Sequence, residues 1–356
     1  MEFGIGSIGR GGRKLRGQTR RAALTLCVSA FVALAAASTV FTIAAEAAAQ
    51  SSSSGGPALK RIKVVTVASS DVTAATKAYA DGLGFSVRDE GRVSQALAAV
   101  WGEPKMTGRP YVVLSNDVDQ DVFIRLVEID PVPGYKPMTT YGWNSFEFVI
   151  DDYRAAQSAL EKSTFKVIGG PNPLKSNPNI VTLQARGAGD EILYFADETT
   201  GEAGARFPTP GTLFGRPFIV ILAGADIVAV RDWYADKFGT EKSSIRESGG
   251  AVVPQALGLP PGSSLPISIF NLRESGNRIQ LDGYTKGSPS ERPRAPGQLP
   301  PGNAMVSFSV DSLKVLDIDF VSPPVALPDI PYAGAKVAAA RGPAGELIEF
   351  IEESAP

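Results

Sequence analysis

Apolar and polar positions alternate and cluster in a pattern that recurs along the chain. Residues 62–68 form a short apolar run that predicts a strand. Val72, Ala75, Tyr79 and Leu83 then recur at helical spacing, and further strand-like runs follow at 110–115 and 122–128. After a Pro/Gly-rich stretch the order restarts, with a strand at 144–150 and a helix over 151–162 that carries Tyr153, Ala156 and Leu160 on one face. Strands at 180–185 and 192–196 close this second unit. A third unit has a strand at 218–222, helical spacing of Ile227, Val230, Tyr234 and Phe238, and strands at 266–271 and 278–282. A fourth has a strand at 304–310, a short helix over 312–320 and strands at 336–339 and 347–351.

Asp71, Asp151 and Asp226 stand where a carboxylate caps the first turn of a helix, and Gly84 and Gly239 suit the exits. The halves of the chain echo each other. Asp71 precedes Tyr79-Ala80-Asp81 and Gly84 at the same offsets at which Asp226 precedes Tyr234-Ala235-Asp236 and Gly239. Gln95-Ala96-Leu97 is matched by Gln255-Ala256-Leu257. The body is therefore an internal repeat of one strand, one helix and several strands. The joints, 130–140, 199–210 and 285–302, are rich in Pro and Gly.

The β-α-β-β-β unit used in pairs resembles the vicinal-oxygen-chelate superfamily of glyoxalase I, extradiol dioxygenases and bleomycin-binding proteins. Three stretches carry the likeness. Asp71 through Tyr79-Ala-Asp-Gly-Leu-Gly-Phe85 is similar to the family's D…FY…LGF, and Asp226 through Trp233-Tyr234 to Phe238-Gly239 is its cousin. Arg341-Gly-Pro-Ala-Gly-Glu-Leu-Ile-Glu349-Phe350 is similar to the closing DPDGNLIEL. The resemblance implies an α+β fold of four modules paired into two cupped-sheet domains, each with a pocket. The expected division is residues 59–200 for one domain (modules 59–130 and 143–197) and 215–354 for the other (modules 215–284 and 303–352), joined by a linker at 201–214. Residues 285–302 are expected to be a linker or a lid on the second pocket.

Composition narrows the chemistry. The chain has no histidine and a single cysteine, Cys27. That removes the usual general base, the Ser-His and Cys-His dyads, and disulfide or thiolate–zinc sites from the body. The body is mildly acidic, with 29 basic and 35 acidic residues after position 50, which makes it a poor nucleic-acid binder. Residues 1–21 are basic, 22–45 uncharged, and small residues follow, in the order of a signal peptide. Arg20-Arg21 ahead of the Ala-rich run resembles a bacterial twin-arginine leader. The alternative is an uncleaved anchor, through which alone the protein would meet a membrane. Either way residues 1–49 are expected to place the body outside the cytoplasm, and 50–58 to act as a flexible linker.

The family's metal ligands, carried over by position, fall on Val64 and Arg125, Ser145 and Leu193, Ile219 and Gln280, and Met305 and Glu349. These side chains make a poor ligand set, so no metal or other cofactor is expected. Glu349 shares a strand face with Leu347 and Ile351 and is either a proton-transfer base or a solvated carboxylate. Arg125 is either a partner for an anionic ligand or half of a structural salt bridge, and Ser145 and Gln280 are candidate ligand contacts. Tyr79 and Tyr234 are expected in the core with hydroxyls at a pocket rim, which makes Tyr234 a candidate ligand contact too. Trp101, Trp143 and Trp233 either stack on a ligand or pack. Three functions compete: a metal-free protein that binds a small hydrophobic or aromatic molecule, an isomerase, lyase or epimerase that uses Glu349, and a structural or interaction module.

Overall fold

The computed structural model describes residues 56–200 and 206–353; the leader at 1–49, with Cys27 and Arg20-Arg21, lies outside them. Among the described residues no helix is long and apolar enough to cross a membrane. The first repeat contains β1 (Arg61–Ser69), α1 (Val72–Lys77, continued by a wider turn, Ala78–Gly82), β2 (Ser86–Arg92), α2 (Gln95–Trp101), β3 (Pro110–Ser115) and β4 (Phe123–Glu128). The second contains β5 (Gly142–Ile150), α3 (Tyr153–Lys162), β6 (Lys166–Leu174), β7 (Asn177–Arg186) and β8 (Ile192–Glu198). The third contains β9 (Phe214–Gly224), α4 (Ile227–Phe238), β10 (Arg246–Ser248), α5 (Val252–Ala256), β11 (Leu265–Asn271) and β12 (Arg278–Gly283). The fourth contains β13 (Gly302–Val310), a single 3-10 turn (Leu313–Val315), β14 (Val325–Ala326), β15 (Lys336–Arg341) and β16 (Leu347–Glu352).

The predicted caps form as hydrogen bonds. Asp71 accepts from the Ala74 amide at 2.8 Å, and Asp226 from the Val228 and Ala229 amides, each at 3.0 Å. In the second repeat the cap is Asp152, not Asp151, with the Arg154 and Ala155 amides at 2.7 and 3.1 Å. Gly84 and Gly239 take φ of +73° and +66°, a conformation that costs a side-chain-bearing residue energy. Asp226→Ala is expected to cost about 1 kcal/mol, seen as a lower urea midpoint with an unchanged slope. The helix expected at 312–320 shrinks to one turn because Leu316, Ile318 and Phe320 turn inward while Asp317 and Asp319 stay exposed. This is the period of an extended chain, not a helix.

Two eight-stranded sheets result, but the first repeat does not share one with the second, nor the third with the fourth. One sheet runs β14-β15-β16-β13-β1-β4-β3-β2 and joins the first repeat to the fourth; the other runs β10-β11-β12-β9-β5-β8-β7-β6 and joins the second to the third. The expected pairing of first with second and third with fourth is thereby corrected. Contacts between the sheets hold this arrangement. The Asn303 side chain accepts from the Ile192 amide at 2.8 Å and donates to its carbonyl at 3.1 Å, and Trp143 Nε1 donates to the Leu347 carbonyl at 2.8 Å. The 285–302 segment is pinned rather than hinged: Arg292 donates to the Asn303 and Trp143 carbonyls, Arg294 reaches Glu103 at 2.8 Å, and Leu299 is fully buried.

One continuous apolar core lies under the helix-covered faces of both sheets. It contains α1, α3 and α4 and side chains such as Val65, Phe148, Val220 and Phe308. The opposite, cupped faces carry separate clusters. Val64, Trp101, Met305 and Ile351 belong to the first cup, and Ile192, Ala223, Val253, Ile219 and Ile221 to the second. The Gln95/Gln255 echo marks α2 and α5, which lie over the two cups and send Leu97 and Leu257 into them.

Candidate functional site in the cupped sheets

The cap fixes the frame of each opening strand. Five residues before the caps Asp71, Asp152, Asp226 and Ser312 stand Thr66, Glu147, Ile221 and Ser307, all facing a cup. The partner strand of the same repeat sets a neighbour beside each: Arg125 by Thr66, Tyr194 by Glu147, Gln280 by Ile221 and Glu349 by Ser307. The first cup is therefore centred on Thr66, Arg125, Ser307 and Glu349, and the second on Glu147, Tyr194, Ile221 and Gln280. Val64, Ser145, Ile219 and Met305 lie on the same faces but one row away, because a two-residue slip keeps a side chain on its face. Leu193 is a one-residue slip, packs in the shared core, and yields its place to Tyr194.

The first cup is closed by its own side chains. Glu349, 0% exposed, accepts from Trp101 Nε1 at 2.8 Å and Tyr332 Oη at 2.9 Å on one oxygen, and from Arg125 Nη2 at 3.2 Å and Ser307 Oγ on the other. Arg125 also donates to Thr66 Oγ1, at 3.2 and 3.0 Å, and to Tyr332, and stacks on the Trp101 ring at 4.8 Å. Burial alone would lower the guanidinium pKa, but Glu349 and Tyr332 raise it above its ordinary value. The space left beside Arg125, about 10 Å³, admits one water at most. Arg125 is thus the buried salt bridge rather than a ligand contact. Glu349 is neither solvated nor free to take a proton from a substrate.

Tyr234 reaches neither cup. It is fully buried in the shared core and donates to Glu346 Oε1 at 2.9 Å, while Glu346 Oε2 accepts from the Ala344 amide at 2.8 Å. Tyr79 faces Glu191 in the matching place, and Glu191 Oε2 accepts from the Gly189 amide at 2.8 Å. Burial pushes Glu191 and Glu346 up to about 7. A Cβ at Gly187 or Gly342 would stand 1.9 Å from the glutamate Oε1, so a larger residue in either turn must displace the buried carboxylate. The conspicuous tyrosines are structural, as are Trp101 and Trp143, which spend their indole N–H groups inside the protein.

The second cup keeps unspent polar groups. Ser145 Oγ is buried without a hydrogen-bond partner. Glu147 is 8% exposed; burial raises it to about 7, with Arg278 pulling down and Asp282 pushing up, and no hydrogen bond contributes. Gln280 Nε2 donates to Asp282 Oδ1 at 2.8 Å, and Asp282 is itself raised to about 6 by burial. Burial also holds the Tyr194 hydroxyl protonated. Arg278, Ile219, Glu147, Tyr194 and Gln184 form one cross-strand row. Where the cup meets β6 and α5, a cleft of about 550 Å³ opens past Ile192, Ile168 and Val252.

A divalent metal, which the family resemblance implies, does not fit either centre. In the first cup Arg125 occupies the cation's place. In the second, Glu147 and Gln280 supply two oxygens while Ile221 supplies none and Tyr194 stays protonated. Among the described residues no three His, Cys, Asp or Glu converge. Sequence reasoning named Ser145 and Gln280 in this cup but missed Glu147, Tyr194 and Asp282. The constant five-residue offset from the caps would have found Glu147, had Asp152 been taken as the cap.

No protein-family model and no curated protein matches the chain. Solved structures do. Glyoxalase I from Zea mays is 14% identical, with 82% of this chain and 92% of that one covered and a TM-score of 0.52. A candidate dioxygenase from Bacillus subtilis subsp. subtilis str. 168 is 13% identical, with coverage of 82% and 85% and a TM-score of 0.53. At such identity the likeness establishes the fold: a vicinal-oxygen-chelate fold of paired cupped-sheet domains.

Proposed function

We propose that this chain is an extracytoplasmic small-molecule-binding protein whose second cup holds a ligand with an apolar or aromatic body, without a transition metal, while its first cup is a structural plug. One contrast carries the reading. The first cup spends its central Arg125 and Glu349 on each other and keeps about 10 Å³ beside Arg125, with a cleft of about 270 Å³ only at its Lys63–Tyr332 edge and an unpartnered hydroxyl only at Ser309, whereas the second leaves its central Glu147 without a hydrogen bond and Ser145 Oγ without a partner, and its Ile192 lines a cleft of about 550 Å³. Unpaired buried polar groups are costly, and a ligand that bonds them recovers that cost. Export rests on the basic, apolar, small-residue order of the first 49 residues, and N-terminal sequencing of protein from the native host tests it: a start near residues 47–50 supports cleavage and export.

A thermal-shift screen of small aromatic and aliphatic compounds tests the site. Compounds that stabilise the wild type are expected to lose about tenfold or more in affinity when Ser145→Leu fills the cup, and to bind Tyr332→Phe as before. A ligand that tolerates Ser145→Leu but is lost in Tyr332→Phe assigns binding to the first cup and sinks the reading.

Glu147 also favours a second reading, proton transfer on the bound molecule. A carboxylate that titrates near 7 is matched to that task at neutral pH, and Glu147 is such a group, whereas Glu349 is fully occupied by Arg125, Trp101, Tyr332 and Ser307. An activity abolished by Glu147→Gln, with a rate that rises through about pH 7, distinguishes catalysis from simple binding.

A further inference from the structure

Building on the assignment of the ligand to the second cup, we propose that this ligand is an organic anion on an apolar body, its charge read at the mouth by Lys136, Lys166 and Arg186. The cleft that these residues line has the volume of a small-molecule site. It is continuous with the cup: Lys166 pairs with Arg186, and Arg186 with Ile192. Ser145 precedes Phe146, which is paired with Leu193, so it is Ile192's neighbour on the next strand. A single row thus runs from the exposed Lys166 on the edge strand to the unpartnered Ser145 hydroxyl.

The cleft lining contains three basic residues and no acidic one. Asp190, outside the lining, accepts from Arg186 Nε at 2.9 Å, and neither lysine forms an ion pair among the described residues. Deeper in the cup the sign reverses, with Glu147 and Asp282. An anionic head is therefore repelled from the floor and attracted to the rim. Its apolar body lies inward against Ile168, Ile192 and Val252. The charge gradient along the row thus sets both the ligand class and its orientation.

Two probes that share an aromatic body separate these points: anilinonaphthalene sulfonate, which is anionic, and N-phenyl-1-naphthylamine, which is neutral. Fluorescence titration of the purified protein is expected to show saturable binding of both, the anion about tenfold tighter. The double reversal Lys136→Glu/Lys166→Glu should weaken the anion about tenfold or more and leave the neutral probe unchanged. Ser145→Leu, its fold checked by circular dichroism, should weaken both. If the reversal leaves the anion's affinity unchanged while Ser145→Leu weakens both probes, the anion inference is overturned and the cup stands. If a folded Ser145→Leu binds both as the wild type does, or if neither probe saturates the wild type, the cup reading itself falls.

Discussion

Arg125→Met is expected to lower the unfolding free energy by about 3–5 kcal/mol, the range for breaking one partner of a buried ion pair. The guanidinium is 1% exposed and Glu349 0%. Removing the cation strands a buried carboxylate, with only Trp101, Tyr332 and Ser307 left to donate to it. The double variant Arg125→Met/Glu349→Leu removes both charges and is expected to recover most of the loss, because a well-packed apolar pair often equals a buried ionic one. Urea denaturation of the wild type, the single variants Arg125→Met and Glu349→Leu, and the double variant measures the coupling. If Arg125→Met costs less than about 1 kcal/mol, the first cup is open to water and is no plug. Ligand binding in the second cup should survive in every folded variant of this series.

Alkaline destabilisation is the second large effect. Glu147, Glu191 and Glu346 each titrate at about 7 in the fold because burial penalises their charged forms, against an ordinary value of 4.5. The folded chain therefore holds protons that the unfolded chain has released, and stability falls as pH rises between these values. The stabilising contribution is fully present below about 4.5 and is lost once pH passes about 7, on the order of 3 kcal/mol for each glutamate. Asp282, raised to about 6, adds a smaller decline at the lower end of the window. Melting temperatures from pH 5 to 8.5 should fall steadily, and the double variant Glu191→Gln/Glu346→Gln should flatten the slope markedly. A flat wild-type profile would mean that water reaches these turns.

The Tyr79/Glu191 and Tyr234/Glu346 pairs also explain the clearest repeat in the sequence. In each half the tyrosine of the opening helix faces the glutamate that closes the next repeat, across the core between the sheets. The repeat therefore marks an assembly device, not a binding site, and the same physics makes that device sensitive to pH.

The sequence alone determined the local architecture. Caps, apolar spacing and turn residues act over a few residues, so four repeat units, three of them with the expected helix, their order and the vicinal-oxygen-chelate likeness were legible from Asp71, Asp226, Gly84, Gly239 and the Arg341–Phe350 stretch. The absence of histidine from the whole chain was equally plain. Which repeats share a sheet was not, because every opening strand is buried on both faces and the joints are long enough for either pairing. Side chains far apart in sequence decide it, such as Asn303 on Ile192 and Trp143 on Leu347. The fate of each polar residue was likewise a matter of what lies opposite it. Arg125 and Glu349 are 224 positions apart and neutralise each other under Trp101 and Tyr332, whereas Glu147, five residues before a cap like Ser307, meets Tyr194 and Ile219 and keeps its valence open. Pattern sets the face a side chain points to; only the folded chain sets whether a partner is waiting there.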